Sequence, residues 1–353
     1  MVVWGWVLRL NVGKLPYYLL EKYVFKRTGA QSSRVLVGPG VGEDAAVVDF
    51  GDRLLVFHSD PITGAVENLG FLAVNVAAND VASKGADPLW ASITLLLSEG
   101  LDEGRLDELT EQLHETALEL GISIVGGHTE VVYDLTRPIV VVTVVGEAEK
   151  EKFKTTGGAQ VGDAILMTKG AALEGTAIVA SEFEFLLSKC LGKDVVQRAK
   201  QFLKEVSVLK EAKIARELPE VHAMHDATEG GILCAVQEMA LASGLGAEVY
   251  EHKIIVRRET KSIFSFIGAD PLKAVSSGSL IIAVDPSAVE LLRAKLNSAG
   301  IECEEIGKFV ERSEGFKLVK SDGSVLDFSE PVKEELWSIY DKLEWLRSPS
   351  SYI

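Results

Sequence analysis

Carboxylates, histidines and glycine turns recur in this 353-residue chain at points where apolar runs stop. The first group is Gly38-Pro39-Gly40-Val41-Gly42-Glu43-Asp44-Ala45-Ala46. A loop of this kind lets backbone N–H groups approach an anion, and the adjacent carboxylate can hold a metal. It lacks the Lys-Ser/Thr ending of a P-loop, and the valines at 47 and 48 argue against a helix-opening G-x-G-x-x-G. Alone, it reads equally as a plain turn before a strand. The second group is His58-Ser59-Asp60-Pro61, where Asp60 ends an expected strand and Pro61 stops the ladder. The third, Asn79-Asp80, sits inside an otherwise apolar helical run. Asn and Asp are poor interior helix residues, and a metal or a buried hydrogen bond would offset their cost. The competing explanation is an i,i+4 pair between Asp80 and Lys84.

Two further groups follow. Val125-Gly126-Gly127-His128-Thr129-Glu130 suggests a tight turn that presents His128, Thr129 and Glu130 together, with His128 as an acid, a base or a phosphate contact. A solvated loop histidine explains it as simply. His225-Asp226-Ala227-Thr228-Glu229-Gly230-Gly231 opens a helix, with Thr228 as a candidate N-cap and with Asp226 and Thr228 before an N-terminus that attracts anions. Ser276-Ser277-Gly278-Ser279-Leu280 is a weaker loop-to-strand signal of the same kind.

The elements that must carry these groups fall into two halves. Strands are expected at Arg34–Val37, Ala45–Asp49, Arg53–His58, Leu89–Leu97, Ile122–Val125 and Pro138–Val145. Helices are expected at Leu15–Lys26, Leu69–Lys84 with Gly85 as its left-handed stop, and Asp102–Leu120 with Gly121 after it. A charged run at Glu147–Lys154 and a Gly/Thr-rich stretch after it mark a boundary, giving an N-terminal domain 1–153 and a C-terminal domain 154–353. In the second half, strands are expected at Ala164–Thr168, into His225, at Leu280–Val284 and as a hairpin over Phe316–Leu326. Its helices are expected near Asp194–Lys204, Val208–Glu217, Gly230–Ser243, Ser287–Ala299 and Pro331–Trp345. Both halves mix strands and helices, so the fold class is α/β (α+β) in two domains.

Composition narrows the function classes. Hydrophobic residues are 47% and charged residues 25%, which suits an ordinary globular chain rather than a disordered one. The net charge of −16, from 36 basic and 52 acidic residues, argues against nucleic-acid binding, because phosphate contacts need clustered Lys or Arg. No run approaches the roughly 20 apolar residues of a membrane span. Met1–Leu10 is apolar but has no basic flank or small-residue cleavage site, so it is a poor signal peptide. Cys190, Cys234 and Cys303 are too few and too scattered for a disulfide framework or a C-x-x-C site, and reduced thiols in a cytoplasmic protein are expected.

No single group decides the chemistry, but their order does. G-x-G-E-D-A-A, S-D-P, N-D-V-A, G-G-H-T-E, H-D-A-T-E-G-G and S-S-G-S-L, in that sequence over residues 14–340, resemble the superfamily of aminoimidazole ribonucleotide (AIR) synthetase. That superfamily also holds HypE hydrogenase-maturation factors, thiamine-phosphate kinase, selenophosphate synthetase and formylglycinamidine synthetase. The Asn79–Ala86 and Asp226–Gly231 stretches look most like HypE.

The resemblance implies a PurM-like fold: an N-terminal domain that forms an intersubunit β-barrel in a homodimer, and a C-terminal α/β domain over it. It implies ATP and Mg²⁺ in the cleft, with Asp44, Asp60 and Asp80 as metal ligands. Gly40, Gly42, Asn79, Gly127, Thr129, Thr228 and Gly230 would lie near nucleotide, and His128, Glu130 and Asp226 would be catalytic. It implies phosphorylation of an amide or carboxyl-type oxygen on a small-molecule or protein acceptor, and a maturation-protein partner. The alternatives are a non-catalytic nucleotide-binding scaffold and a small-molecule kinase like thiamine-phosphate kinase. Two departures stand out. HypE carries a cysteine on a mobile C-terminal tail, whereas this chain ends Ser350-Ser351-Tyr352-Ile353 with Cys303 as its last cysteine. The family's G-D-T or G-E-T has an acid where this chain has His128, which leaves two alternatives: a metal ligand is missing, or Glu130 takes over.

Overall fold

Valine-rich runs fold as strands and organise the first half around one sheet. The computed structural model describes residues 15–63 and 67–347; the Met1–Leu10 stretch and the Ser350–Ile353 end lie outside the described residues. The first half contains α1 (Tyr17–Tyr23), β1 (Val35–Val37), β2 (Ala46–Asp49), β3 (Leu54–Ile62), α2 (Leu69–Ser83), β4 (Asp87–Ser98), α3 (Glu103–Leu120), β5 (Ser123–Val132) and β6 (Ile139–Ala148). Its six strands run in the order β1-β2-β3-β6-β4-β5, and only β4 and β5 pair in parallel.

The two helices of this half have different surroundings. Helix α3 is amphipathic, capped by the Asp102 side chain at its start and by left-handed Gly121 at its end. Helix α2 is buried at every described position but Phe71. A helix apolar on all sides belongs inside the molecule, and α2 packs on the six-stranded sheet with one face and on the second half with another. Gly85, at φ +74°, ends it as expected. Gly146 in β6 lets it lie close to the sheet: a Cβ there would sit 2.7 Å from Val81 Cγ1 and 2.5 Å from the Asp87 carbonyl oxygen.

The second half contains β7 (Ala164–Thr168), α4 (Leu173–Glu182), α5 (Glu184–Leu191), α6 (Lys193–Lys200), α7 (Leu209–Ala215), β8 (Val221–Ala227), α8 (Gly231–Ala242) and β9 (Gly246–Tyr250). It continues with α9 (Arg258–Ile267), β10 (Ser279–Val284), α10 (Val289–Ser298), β11 (Cys303–Val310), β12 (Phe316–Val319), β13 (Val325–Asp327) and α11 (Leu336–Arg347). Seven strands run β13-β12-β9-β11-β7-β10-β8, antiparallel except for β9 with β12. The central β7 and β10 are buried throughout, as a sheet covered on both faces requires. The architecture is a mixed α/β fold of two sheets with helices packed on each.

The sequence pattern leaves residues 169–193 without an element, yet α4 and α5 lie there. Residues Leu173–Ala180 of α4 are all buried, so the run has no polar face to reveal helical periodicity. The expected strand at Ile122–Val125 extends to Val132 as β5 and takes in the whole Gly126–Glu130 motif. That corrects the tight turn: residues 126–132 pair in parallel with Ser92–Ser98 after a register shift at Ala91/Ser92. A Cβ at Gly127 would collide with the Ile93 carbonyl, so this glycine serves a bulge and a close strand approach.

Gly146→Ala should lower stability by about 1–3 kcal/mol through overpacking between α2 and the sheet. Differential scanning calorimetry against wild type checks this, with Gly126→Ala, at an open position without a left-handed backbone, as a control that should change stability less.

Candidate active site between the two sheets

Helix α2 brings Asp80, Ser83 and Lys84 to the face where the two halves meet, and the loop after Gly42 brings Glu43 and Asp44 to the same place. Ser83 Oγ donates to Asp44 Oδ2 at 2.8 Å. Lys84, completely buried, places Nζ 3.0 Å from Glu43 Oε2 and 3.3 Å from Asp44 Oδ2, and donates to Thr156 Oγ1. From β8, His225 Nδ1 lies 2.5 Å from Asp44 Oδ1 in a close ionic contact, and Nε2 lies 3.0 Å from Glu238 Oε2. Burial works to raise the Asp44 carboxyl, but His225 and Lys84 outweigh it and hold Asp44 well below the carboxylate range. Burial likewise opposes the charge on His225, yet Asp44 and Glu238 push it up to about 10. The Lys84 pKa is also raised, because Asp44 and Glu43 overcome its desolvation. The expected Asp80–Lys84 pair is therefore replaced by a Lys84–Glu43–Asp44 pairing.

A second group of acids lies around His58. His58, Asp60 and Asp80 place ligand-type atoms within 4.8 Å of one another, with His58 Nε2 3.5 Å from Asp80 Oδ2. Asp60 lies within β3 rather than at its end. Strand β2 covers β3 only at Leu54–Phe57, so Pro61 faces an open side while its other side pairs with Val141. Burial, then Asp226, Asp44 and Asp60, push the Asp80 carboxyl well up. Asp226, fully buried at the end of β8, has both carboxylate oxygens without a hydrogen-bond partner among the described residues. Burial and then Asp44 raise it to about 7.

Asp60 and Asp80 face a cavity of about 780 Å³ lined by both halves, α11 included. Gly40, Gly42, Asp44, Asp60, Asp80 and Thr228 line it, so the structure brings these sequence-singled residues together. Among the described lining residues, Arg137 is the one Lys or Arg, against Glu43, Asp44, Asp60, Asp80, Glu174, Glu229, Glu238 and Glu334. Asp60 and Asp80 are hard oxygen donors beside His58, and Asp80 is buried. That donor set, with the orphaned Asp226 oxygens, fits a divalent cation.

Other sequence-singled residues go elsewhere. Asn79 is satisfied at both ends by backbone: Nδ2 donates to Val206 O at 2.7 Å, and Oδ1 accepts from Val208 N–H at 2.8 Å. It clamps α2 to the second half and is not among the residues lining the cavity. Gly230 sits at φ +78° at the start of α8, and its N–H donates to Glu334 Oε2 at 2.6 Å. Thr228 makes no side-chain cap; Gly230 takes the N-cap position. Gly127, His128, Thr129 and Glu130 lie on exposed β5 outside the cavity lining, with His128 Nε2 3.5 Å from Glu130 Oε2.

Sequence reasoning passed over Glu174, Glu334 and Glu238, and weighed Lys84 only as a surface partner. Glu174, near the start of α4, is buried with Oε2 unpartnered among the described residues, and Ser277 Oγ beside it is equally unpartnered. Burial pushes the Glu174 carboxyl up to about 7, with neighbouring Ser277 offsetting part of the rise. Burial does the same to Glu334, against amide donors at Gly230, Leu336 and Val275. A glutamate inside the apolar run Ala171–Ala177 was the available signal for Glu174.

Two sheets with helices packed on each and an acidic cavity lined from both halves define the class: a two-sheet mixed α/β protein. The chain belongs to the AIR synthase related protein family: the family's N-terminal domain model matches residues 42–148 and its C-terminal domain model residues 160–320. Carbamoyl dehydratase HypE of Escherichia coli is 32% identical over 288 residues, spanning 76% of this chain and 79% of that protein. A Methanocaldococcus jannaschii protein named for hydrogenase expression and formation is 28% identical over 312 residues, 86% of this chain and 90% of its own length. The crystal structure of E. coli HypE, a hydrogenase maturation protein, superposes with TM-score 0.67 at 28% identity, covering 79% of this chain and 87% of that one.

The acid–base balance has a direct consequence for stability. Glu174 and Glu334 bind protons in the folded state between the ordinary glutamate range and about pH 7 that the unfolded chain lacks. Their contribution is present at low pH and lost as pH rises through that window, at about 1.4 kcal/mol per pH unit for each fully differing proton. Glu174→Gln should flatten the fall of metal-free Tm between pH 5 and pH 7.5, and an unchanged slope would contradict the assignment.

Proposed function

We propose that this chain is a Mg²⁺-dependent, ATP-using enzyme of hydrogenase maturation that phosphorylates an amide or carboxyl-type oxygen, as the likeness to carbamoyl dehydratase HypE suggests. The observation that carries the reading is the convergence of Asp60 and Asp80 in a cavity whose described lining residues include one Arg and many carboxylates. Phosphate enters such a cavity only with cations that offset the repulsion. Asp60 and Asp80, with Asp226 behind them, would hold Mg²⁺. A bound Mg²⁺ supplies phosphate orientation and neutralises charge in phosphoryl transfer.

The chain's own groups then divide the remaining work. The Gly40–Gly42 loop lets backbone approach the phosphates, with φ +71° at Gly42, where a side chain would meet the Glu238 carbonyl at 2.9 Å. Thr228 offers a hydroxyl from the opposite wall. Glu174, poised near pH 7 beside Ser277, is placed to take or give a proton at the acceptor oxygen or nitrogen. Apolar α11 residues Leu336 and Trp337 help shield that end from water.

Homodimerisation fits the same reading. β5 is a long edge strand with Val125, Val131 and Tyr133 exposed, and such an edge is normally covered. Pairing there with a second copy would bury His128, Thr129 and Glu130 at the interface and let them reach a site they do not line within one chain. Chromatography with light scattering should give a dimer for wild type and a monomer for Val125→Lys/Val131→Lys.

The decisive test is calorimetric titration with ATP, with and without Mg²⁺. Binding should require Mg²⁺ and weaken at least tenfold, about 1.4 kcal/mol, in Asp80→Asn. Absence of ATP binding to wild type under both conditions would overturn the enzyme reading.

A further inference from the structure

Asp44 stands apart from the other acids of the cavity because its charge is already answered. Oδ2 meets the Ser83 hydroxyl and Lys84 Nζ, and Oδ1 meets His225. An ammonium has three N–H donors, and Lys84 has three oxygens around it: Glu43 Oε2, Asp44 Oδ2 and Thr156 Oγ1. With those contacts and no exposed surface, Lys84 cannot also reach out to a phosphate in the cavity. Asp80 and Asp226, by contrast, make no ion pair with a Lys or Arg among the described residues.

We infer that Lys84 is a built-in cation that takes the place of a divalent ion at Asp44, confining metal binding to the His58, Asp60 and Asp80 side of the cluster. Two cations cannot share one carboxylate oxygen at about 3 Å without strong repulsion, and the ammonium is covalently held where a metal must bind from solution. The Asp44 corner therefore does not fit the metal that the sequence motif suggests for it. Its role is to fix α2 against β8, with Lys84 on one carboxylate oxygen and His225 on the other. Asp44 is a positioning residue, and Lys84 sets how many divalent ions the site takes.

The inference rests on reading Asp60 and Asp80 as metal ligands, and Mn²⁺ as the probe separates the two claims. Crystals of the wild-type protein soaked in Mn²⁺ should show anomalous density at Asp60 and Asp80 and none bonded to Asp44. Density on Asp44 as well would overturn the Lys84 assignment and leave the metal reading intact; density at none of these acids would defeat the metal reading and with it this inference. In solution, Lys84→Met should bind one more Mn²⁺ per chain than wild type by electron paramagnetic resonance titration. Its Tm should also rise more on adding Mn²⁺ than that of wild type. A folded Lys84→Met protein that binds the same number of Mn²⁺ ions as wild type would overturn the inference. Should that variant fold only when Mn²⁺ is present, the ion would be standing in for the lost ammonium, as the inference requires.

Discussion

One buried carboxylate ties this molecule together. Asp44 belongs to the first half by sequence, accepts from Ser83 on α2, and meets Lys84 on one side and His225 of β8 on the other. A buried ion pair is weak evidence of net stability, because desolvation offsets most of the attraction. Removing one member is another matter, since the charge left behind has no water to turn to. The cluster thus acts through specificity: the approach of β8 to α2 must satisfy Asp44, Lys84, Glu43, His225 and Glu238 at once. Asn79, one turn away, repeats the logic with neutral groups by bonding the backbone on both sides of Ser207.

That constraint explains the character of α2. A helix pressed between a sheet and a second domain should be apolar all round, and nearly all of it is. The four polar residues it buries toward its C-terminal end, Asn79, Asp80, Ser83 and Lys84, therefore each need a partner or a ligand. Asn79, Ser83 and Lys84 have partners from the loops and the second half. Asp80 is left among acids, with His58 beside it. The helix that holds the halves in register also presents an acid that pairs with no Lys or Arg among the described residues.

Much of this was legible in the sequence for identifiable reasons. Asp80 stood out because an acid inside an apolar helix violates local preference, and the order of motifs carried the family. Helix α3 and its caps followed from periodicity. The failures share one cause: polar residues whose partners lie far along the chain. Asn79 bonds Val206 and Val208, Lys84 bonds Glu43 and Thr156, and Gly127 approaches Ile93. Local spacing cannot distinguish a residue that binds a ligand from one that binds a remote backbone. Glu174 was hidden for a related reason, since its helix is buried on every side and shows no period.

The cavity's charge imbalance sets the terms on which any anion enters. Asp80, Asp226, Glu174 and Glu334 are all pushed toward protonation by burial and by one another. Protons and divalent cations are therefore alternative ways of neutralising the Asp80–Asp226 side, and binding a cation there must release protons near neutral pH. Glu174 lies outside the His58–Asp60–Asp80 and Asp44–His225–Asp226 ligand groups, and burial is the main cause of its raised proton affinity. The two environments thus make the acids unequal. A fold that left all these carboxylates equivalent would offer neither a committed metal site nor a group poised for acid–base work.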